Sequence, residues 1–242
     1  MNQPGITQPL SRGSDPMSSQ PSESINNGAF NRDFSQRTLL WKAMQSICRI
    51  ASSLMFELKV YGKEHIPPSG GVLMVANHQS YLDPIVLAVQ LYRPVSFLAK
   101  SELFRNPLFG WLIRNLNAFP VRQGAGDVGA MKETIRRLQQ GHMLVIYPEG
   151  SRSDTGELLP IASGAALVIR RAGVQVVPAI IEGSFQAWPR SRRLFRAHQI
   201  AVLYGPPLQT DGLKAGEITA LIDRTFHAMR DELRQRLQRD RH

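Results

Sequence analysis

The 242-residue chain holds a single cysteine, Cys48. That rules out an intrachain disulfide and any cysteine-built zinc cage, and it fits a reducing compartment. Long apolar runs are also missing: none reaches the ~18–20 residues that a bilayer-spanning helix needs. The six histidines form no H-E-x-x-H or H-x-x-x-H pair, so no dedicated metal site is expected. No basic stretch followed by an apolar one opens the chain, so no secretory signal is expected. If such a chain meets a membrane, it lies on it. Acidic residues are the minority, with 19 Asp+Glu against 29 Lys+Arg and a formal charge of +10. The excess points to an anionic partner, whether nucleic acid, an anionic membrane surface or a phosphorylated substrate.

What the chain does contain is enough for one substantial domain, with 43% apolar residues. Residues 1–35 are rich in Ser, Pro, Gln, Asn and Gly with no apolar period, which predicts a disordered tail ahead of a domain over 36–242. Residues 38–59 carry Leu40, Met44, Ile47, Ala51, Leu54 and Leu58 at spacings of three and four, an amphipathic helix. It suits either a cover for the core or an interfacial membrane helix. On the second reading Trp41 and Phe56 are placed to dip into lipid while the stripe packs inward. Short apolar runs then alternate with helical patterns. Strands are expected at 72–76, 95–99, 118–121, 143–147, 175–181 and 200–204, and helices at 84–91, 106–115, 126–140, 162–172 and 215–239. This alternation predicts an α/β fold, a mostly parallel central sheet flanked by helices. Chemistry in such sheets gathers in loops at the carboxyl ends of strands.

Two polar motifs sit at such ends. "NHQSYLDP", 77–84, follows "VLMVA" directly. Asp83 before Pro84 is a good helix start, with Asp83 as N-cap. His78 has no such structural explanation. If the chain turns between them, Asp83 can take one ring nitrogen and leave the other free as a base. "YPEGSR", 147–152, follows "MLVI". Pro148 ends the strand, Gly150 permits a backbone that brings amides close to a ligand, and Arg152 can grip a phosphate with two prongs. Plain readings exist for both, a helix cap and a polar turn with a surface ion pair. Two further blocks, "NAFPVRQG" at 117–124 and "VVPAI" at 176–180, are explained by packing when taken alone.

In order and interval, the four blocks resemble the lysophosphatidic acid acyltransferases, also called 1-acylglycerol-3-phosphate O-acyltransferases, and the wider glycerolipid acyltransferase group. The resemblance covers roughly residues 40–210 and includes "FLAKSELFRNPLFGWL". It implies transfer of a fatty acyl group from acyl-CoA or acyl carrier protein to a lysophospholipid hydroxyl, giving phosphatidic acid in phospholipid biosynthesis. By position it makes His78 the general base and Asp83 its orienting partner. It places Glu149, Gly150, Ser151 and Arg152 in the acceptor-binding block, with Lys100 and Arg122 as further phosphate contacts. One departure stands out: Gln123 occupies the place where the second block usually carries an arginine, with Arg122 just before it. Either Arg122 reaches the phosphate, or the acceptor is another lyso-lipid such as lyso-ornithine lipid. No cofactor is implied beyond the acyl thioester as co-substrate. The implied place is the cytoplasmic face of the inner membrane, held peripherally, with acyl carrier protein a candidate partner. Thioesters are already activated, so only the acceptor alcohol needs a base, and amides near Gly150 are candidate donors to the oxyanion.

Three rivals are weaker. "GAGDVG", 124–129, fits the dinucleotide pattern, but Arg122 and Gln123 separate it from its strand. Ser80 and Ser151 sit in no G-x-S-x-G elbow. Residues 190–242 carry 11 Lys+Arg against 6 Asp+Glu, including "RSRRLFR". With no aromatic platform or reading element beside that charge, nucleic acid is not expected, and a solvated face or an anionic lipid contact remains. A non-catalytic basic lipid-binding module is the reading from another class.

Overall fold

The computed structural model describes residues 39–121 and 128–240. The expected tail, Arg122, Gln123 and the start of "GAGDVG" lie outside them. Seven strands form one sheet: β1 (Lys59–Tyr61), β2 (Val72–Ala76), β3 (Val95–Lys100), β4 (Ala118–Val121), β5 (Met143–Ile146), β6 (Gln175–Glu182) and β7 (Ala201–Tyr204). Their order is β1-β7-β6-β2-β5-β3-β4. From β6 to β4 the strands run parallel, and β7 reverses against β6. The expected α/β architecture with a mostly parallel sheet is what the chain adopts. β1 was not anticipated, because three half-buried residues carry no readable alternation.

The helices are α1 (Leu39–Phe56), α2 (Asp83–Ala88), α3 (Pro107–Asn115), α4 (Val128–Gln139), α5 (Ser163–Ala172), the single-turn α6 (Ser184–Ala187) and α7 (Ala215–Arg239). The right-handed rule for parallel crossovers, applied to this strand order, expects α2 and α3 over one face of the sheet and α4 and α5 over the other. α1 packs on α2, while α5 packs between α4 and α7. Since both faces are covered, β2 is buried at every position and reads as an unbroken apolar run. Val72, Met74 and Ala76 join Phe56, Leu82, Val86 and Leu87 in one core cluster.

The N-terminal helix is turned the other way from expectation. Trp41 and Phe56 are buried, at 7% and 5% exposure, and with half-buried Gln45 and Cys48 and buried Ser52 they form the inward face. Leu39, Ile47, Ile50 and Leu54 point outward. The cause is polar. α2 has only six residues, and its carboxyl end leaves carbonyls in need of donors. Gln45 Nε2 donates to Leu91 O (2.8 Å) and Ala88 O (3.3 Å), and Arg49 donates to Val89 O at 3.2 and 3.3 Å. Supplying those donors sets the rotation of α1 and leaves an apolar stripe outside. No described helix is long and apolar enough to cross a membrane.

Candidate active site

β2 lies between β5 and β6, so the loops leaving three neighbouring strands meet at one edge of the sheet. Asn77, fully buried, extends the β2–β6 pairing with its side chain. Its Nδ2 donates to Ile181 O (3.0 Å) and its Oδ1 accepts from Ile181 N (2.8 Å). That clamp ends the strand and starts the turn. Asp83 is not an N-cap, contrary to the expectation: it is the first residue of α2, preceded by Leu82 at the cap. Its carboxylate reaches backward instead. Oδ2 accepts from Gln79 N, Ser80 N and His78 Nδ1, each at 2.7 Å. The two amides fold the chain into the turn that brings residues five apart together. Three donors on one oxygen suit an ionised, acceptor-only carboxylate. With Nδ1–H facing Asp83, Nε2 keeps its lone pair, and the imidazole is 19% exposed.

The second motif interlocks with the first. His78 N donates to Glu149 Oε2 (3.3 Å), and His78 O accepts from Ser153 N (2.8 Å). Tyr147 lies under the imidazole, ring centroids 3.9 Å apart and planes 14° from parallel. Burial, and then the charge of Asp83, push its phenol well above the ordinary range. Burial likewise raises the Glu149 carboxyl to about 7, against the opposing bonds from the His78 and Leu159 amides. Glu149 therefore braces the histidine backbone from the interior. Gly150 has φ 74, the left-handed region that glycine enters freely, and a Cβ there would meet open space. Its amide donates to Tyr147 O (3.0 Å), so among the amides of this turn the Gly150 N–H itself is committed to the backbone. Ser151 is exposed on the same turn.

Arg152 stacks its guanidinium over Tyr81, 3.6 Å from the ring centroid. Its hydrogen bond and charge pull the exposed Tyr81 phenol downward, with Arg190 and Lys100 adding to the effect. Lys100 ends β3, on the carboxyl edge that also carries His78. Three cations, Arg152 first, thus favour the ionised form of one tyrosine. Arg122 falls outside the described residues. Asn77, Gln79, Tyr147 and Arg190 escaped the sequence reading. Asn77 had a signal, a polar residue directly after five apolar ones. Gln79 Nε2 donates to Gly156 O at 3.0 Å, a bond across the fold that no local pattern announces. No group of three His, Cys, Asp or Glu among the described residues could hold a metal ion.

An acyltransferase family model matches residues 57–182. The 1-acyl-sn-glycerol-3-phosphate acyltransferase of Bacillus subtilis (strain 168) is 28% identical over 170 residues, 70% of this chain and 82% of that protein. The human 1-acyl-sn-glycerol-3-phosphate acyltransferase alpha is 32% identical over 177 residues, 71% of this chain and 62% of its own length. The crystal structure of the 1-acyl-sn-glycerophosphate (LPA) acyltransferase PlsC from Thermotoga maritima superposes with a TM-score of 0.69 at 27% identity, covering 79% of each chain.

Proposed function

The chain belongs to the acyltransferase family, and from that premise we propose that it acylates the free hydroxyl of 1-acylglycerol-3-phosphate, giving phosphatidic acid. The acyl donor is a thioester of coenzyme A or acyl carrier protein. The observation that carries this reading is the 2.7 Å bond from His78 Nδ1 to Asp83 Oδ2, with Nε2 left free at the strand edge. As the acceptor oxygen attacks the thioester carbon, Nε2 takes its proton. The C–S bond then breaks, and the proton passes from the imidazolium to the departing sulfur. One ester and one thiol result. General-base help of this sort contributes ~10²–10⁴-fold.

Lys100, Arg152 and Arg190 supply the positive end of the acceptor site, where a phosphate gains from two-pronged arginine bonds. α1 presents an outward apolar face, and Leu108, Phe109 and Trp111 of α3 are exposed as well. That face would rest on the membrane from which both lipid substrates come, a peripheral placement on the cytoplasmic leaflet.

Thiol release from acyl-CoA tests the reaction, measured with and without lysophosphatidate in mixed micelles. Acceptor-dependent release that falls at least about 100-fold in His78→Ala is expected. Release that ignores the acceptor, or survives the substitution, would end this reading. Substituting lyso-ornithine lipid for lysophosphatidate tests the headgroup.

A further inference from the structure

Between Glu182 and Asp211 the chain holds no acidic residue, yet it holds Arg190, Arg192, Arg193 and Arg196 within seven positions. These arginines and the two apolar residues among them, Leu194 and Phe195, are exposed, Leu194 at 79%. Nothing in the acyl-transfer chemistry above needs this loop to be both basic and apolar. A solvated turn would be expected to hide or omit Leu194 and Phe195.

The loop is firmly placed. Arg196 N donates to Ala187 O at 2.9 Å and Trp188 Nε1 donates to Arg192 O at 3.1 Å, so its two ends are tied together. Phe195 makes edge contacts with Phe56, at the end of α1, and with Trp188, each at 5.8 Å between centroids. Trp188 in turn lies 5.4 Å from Tyr81, the ring that carries Arg152. A line of aromatic contacts thus joins the membrane-facing helix, this loop and the acceptor site.

We propose that the loop 189–196 is a second membrane contact, one that selects anionic phospholipid headgroups at the mouth of the active site. The inference rests on the reading that the substrates are membrane lipids. Arginines supply attraction to a negative surface, and Leu194 and Phe195 enter beneath the headgroups, continuing the apolar stripe of α1. An acidic carrier protein would match the charge, but it gives no reason for exposed Leu194 beside a lipid-facing helix.

The test is vesicle flotation of the full chain on phosphatidylcholine alone and on phosphatidylcholine with about a third phosphatidylglycerol. Arg192→Gln/Arg193→Gln is expected to weaken partitioning onto the anionic vesicles about 30-fold, at roughly one surface charge's attraction per residue. Binding to neutral vesicles should not change. Leu194→Glu is expected to weaken binding to both. In neutral detergent micelles both variants should keep parental acyl transfer, which shows that they fold. Parental binding of the double variant to anionic vesicles would overturn the proposal. So would a defect confined to turnover with acyl carrier protein as donor, which would make the loop a protein contact. A parent that binds anionic vesicles through this loop, yet releases no thiol, would leave the loop standing and remove the acyl-transfer reading.

Discussion

Two buried polar clusters in this molecule are built on opposite terms. On α7, Arg230 has every side-chain nitrogen engaged: Nε with Glu182, Nη1 with Glu157 (2.6 Å) and Nη2 with Gly156 O (2.9 Å). At the carboxyl edge, five buried side-chain atoms have no hydrogen-bond partner among the described residues. They are Asp83 Oδ1, Tyr147 OH, Glu149 Oε1, Arg152 Nη1 and Ser184 Oγ. Four belong to the two motif blocks, and the fifth follows the end of β6. A buried orphan atom costs about 1–3 kcal/mol, so proteins rarely leave several together without use. The contrast teaches where stability ends and function begins: the Arg230 cluster spends its bonds on holding the fold, and the edge keeps some in reserve.

Substitutions can break or sharpen that contrast. The largest effect is expected at Asp83→Asn. The amide oxygen can keep the three donors that Oδ2 holds, but it carries no charge to stabilise the imidazolium that forms on His78. Acyl transfer should fall ~10²–10⁴-fold while the melting curve barely moves; a large loss of stability with residual activity would place Asp83 in the structural class. Arg230→Met should do the opposite. It leaves the half-buried Glu182 with only the longer Arg234 contact (3.5 Å) and Gly156 O with only Gln79, costing about 1–3 kcal/mol in urea titration, with turnover per folded molecule within a few-fold of the parent.

Glu149→Gln gives a smaller and pH-dependent effect. The carboxyl rises from 4.5 to about 7 in the fold, so between those values the folded chain holds a proton that the unfolded chain has released. Stability must then fall as pH rises through that window, by at most about 3 kcal/mol. Glutamine does not ionise, so unfolding free energy against pH should be flatter in the variant, and parallel curves would show that the carboxyl is not buried as described. Least of all, Tyr147→Phe keeps the stack on His78 and removes an orphan hydroxyl. A gain of about 1 kcal/mol in stability is expected, at nearly parental turnover. Lost turnover would assign that hydroxyl a part in the chemistry.

The strands and long helices were legible because sheets covered on both faces require apolar runs, and amphipathic helices write their period into the chain. Helix 215–239 was read to the residue. His78 and Asp83 were legible as a pair because the only conflict in that stretch was a histidine where nothing structural asked for one. Rotation of α1 was not legible: a period reports a stripe, and the choice of inward face was made by α2 carbonyls contributed from 40 or more residues away. Glu149 was legible as a member of its motif, but neither its burial nor its bond from the His78 amide had a signal in the sequence. Tyr147 looked like the end of a strand, and only the crossing of two loops reveals the ring beneath the imidazole.

Placing β2 in the middle of the sheet carries a cost in time. Its partners β5 and β6 begin about 70 and 100 residues later in the chain, and pairings that distant are slow to form. A nascent polypeptide that has left the ribosome only through α4 already owns its base and carboxylate, yet lacks both flanking strands and the glycine turn. Competence therefore arrives late in synthesis, after β6 has docked, and shorter translation products should be inert toward thioesters.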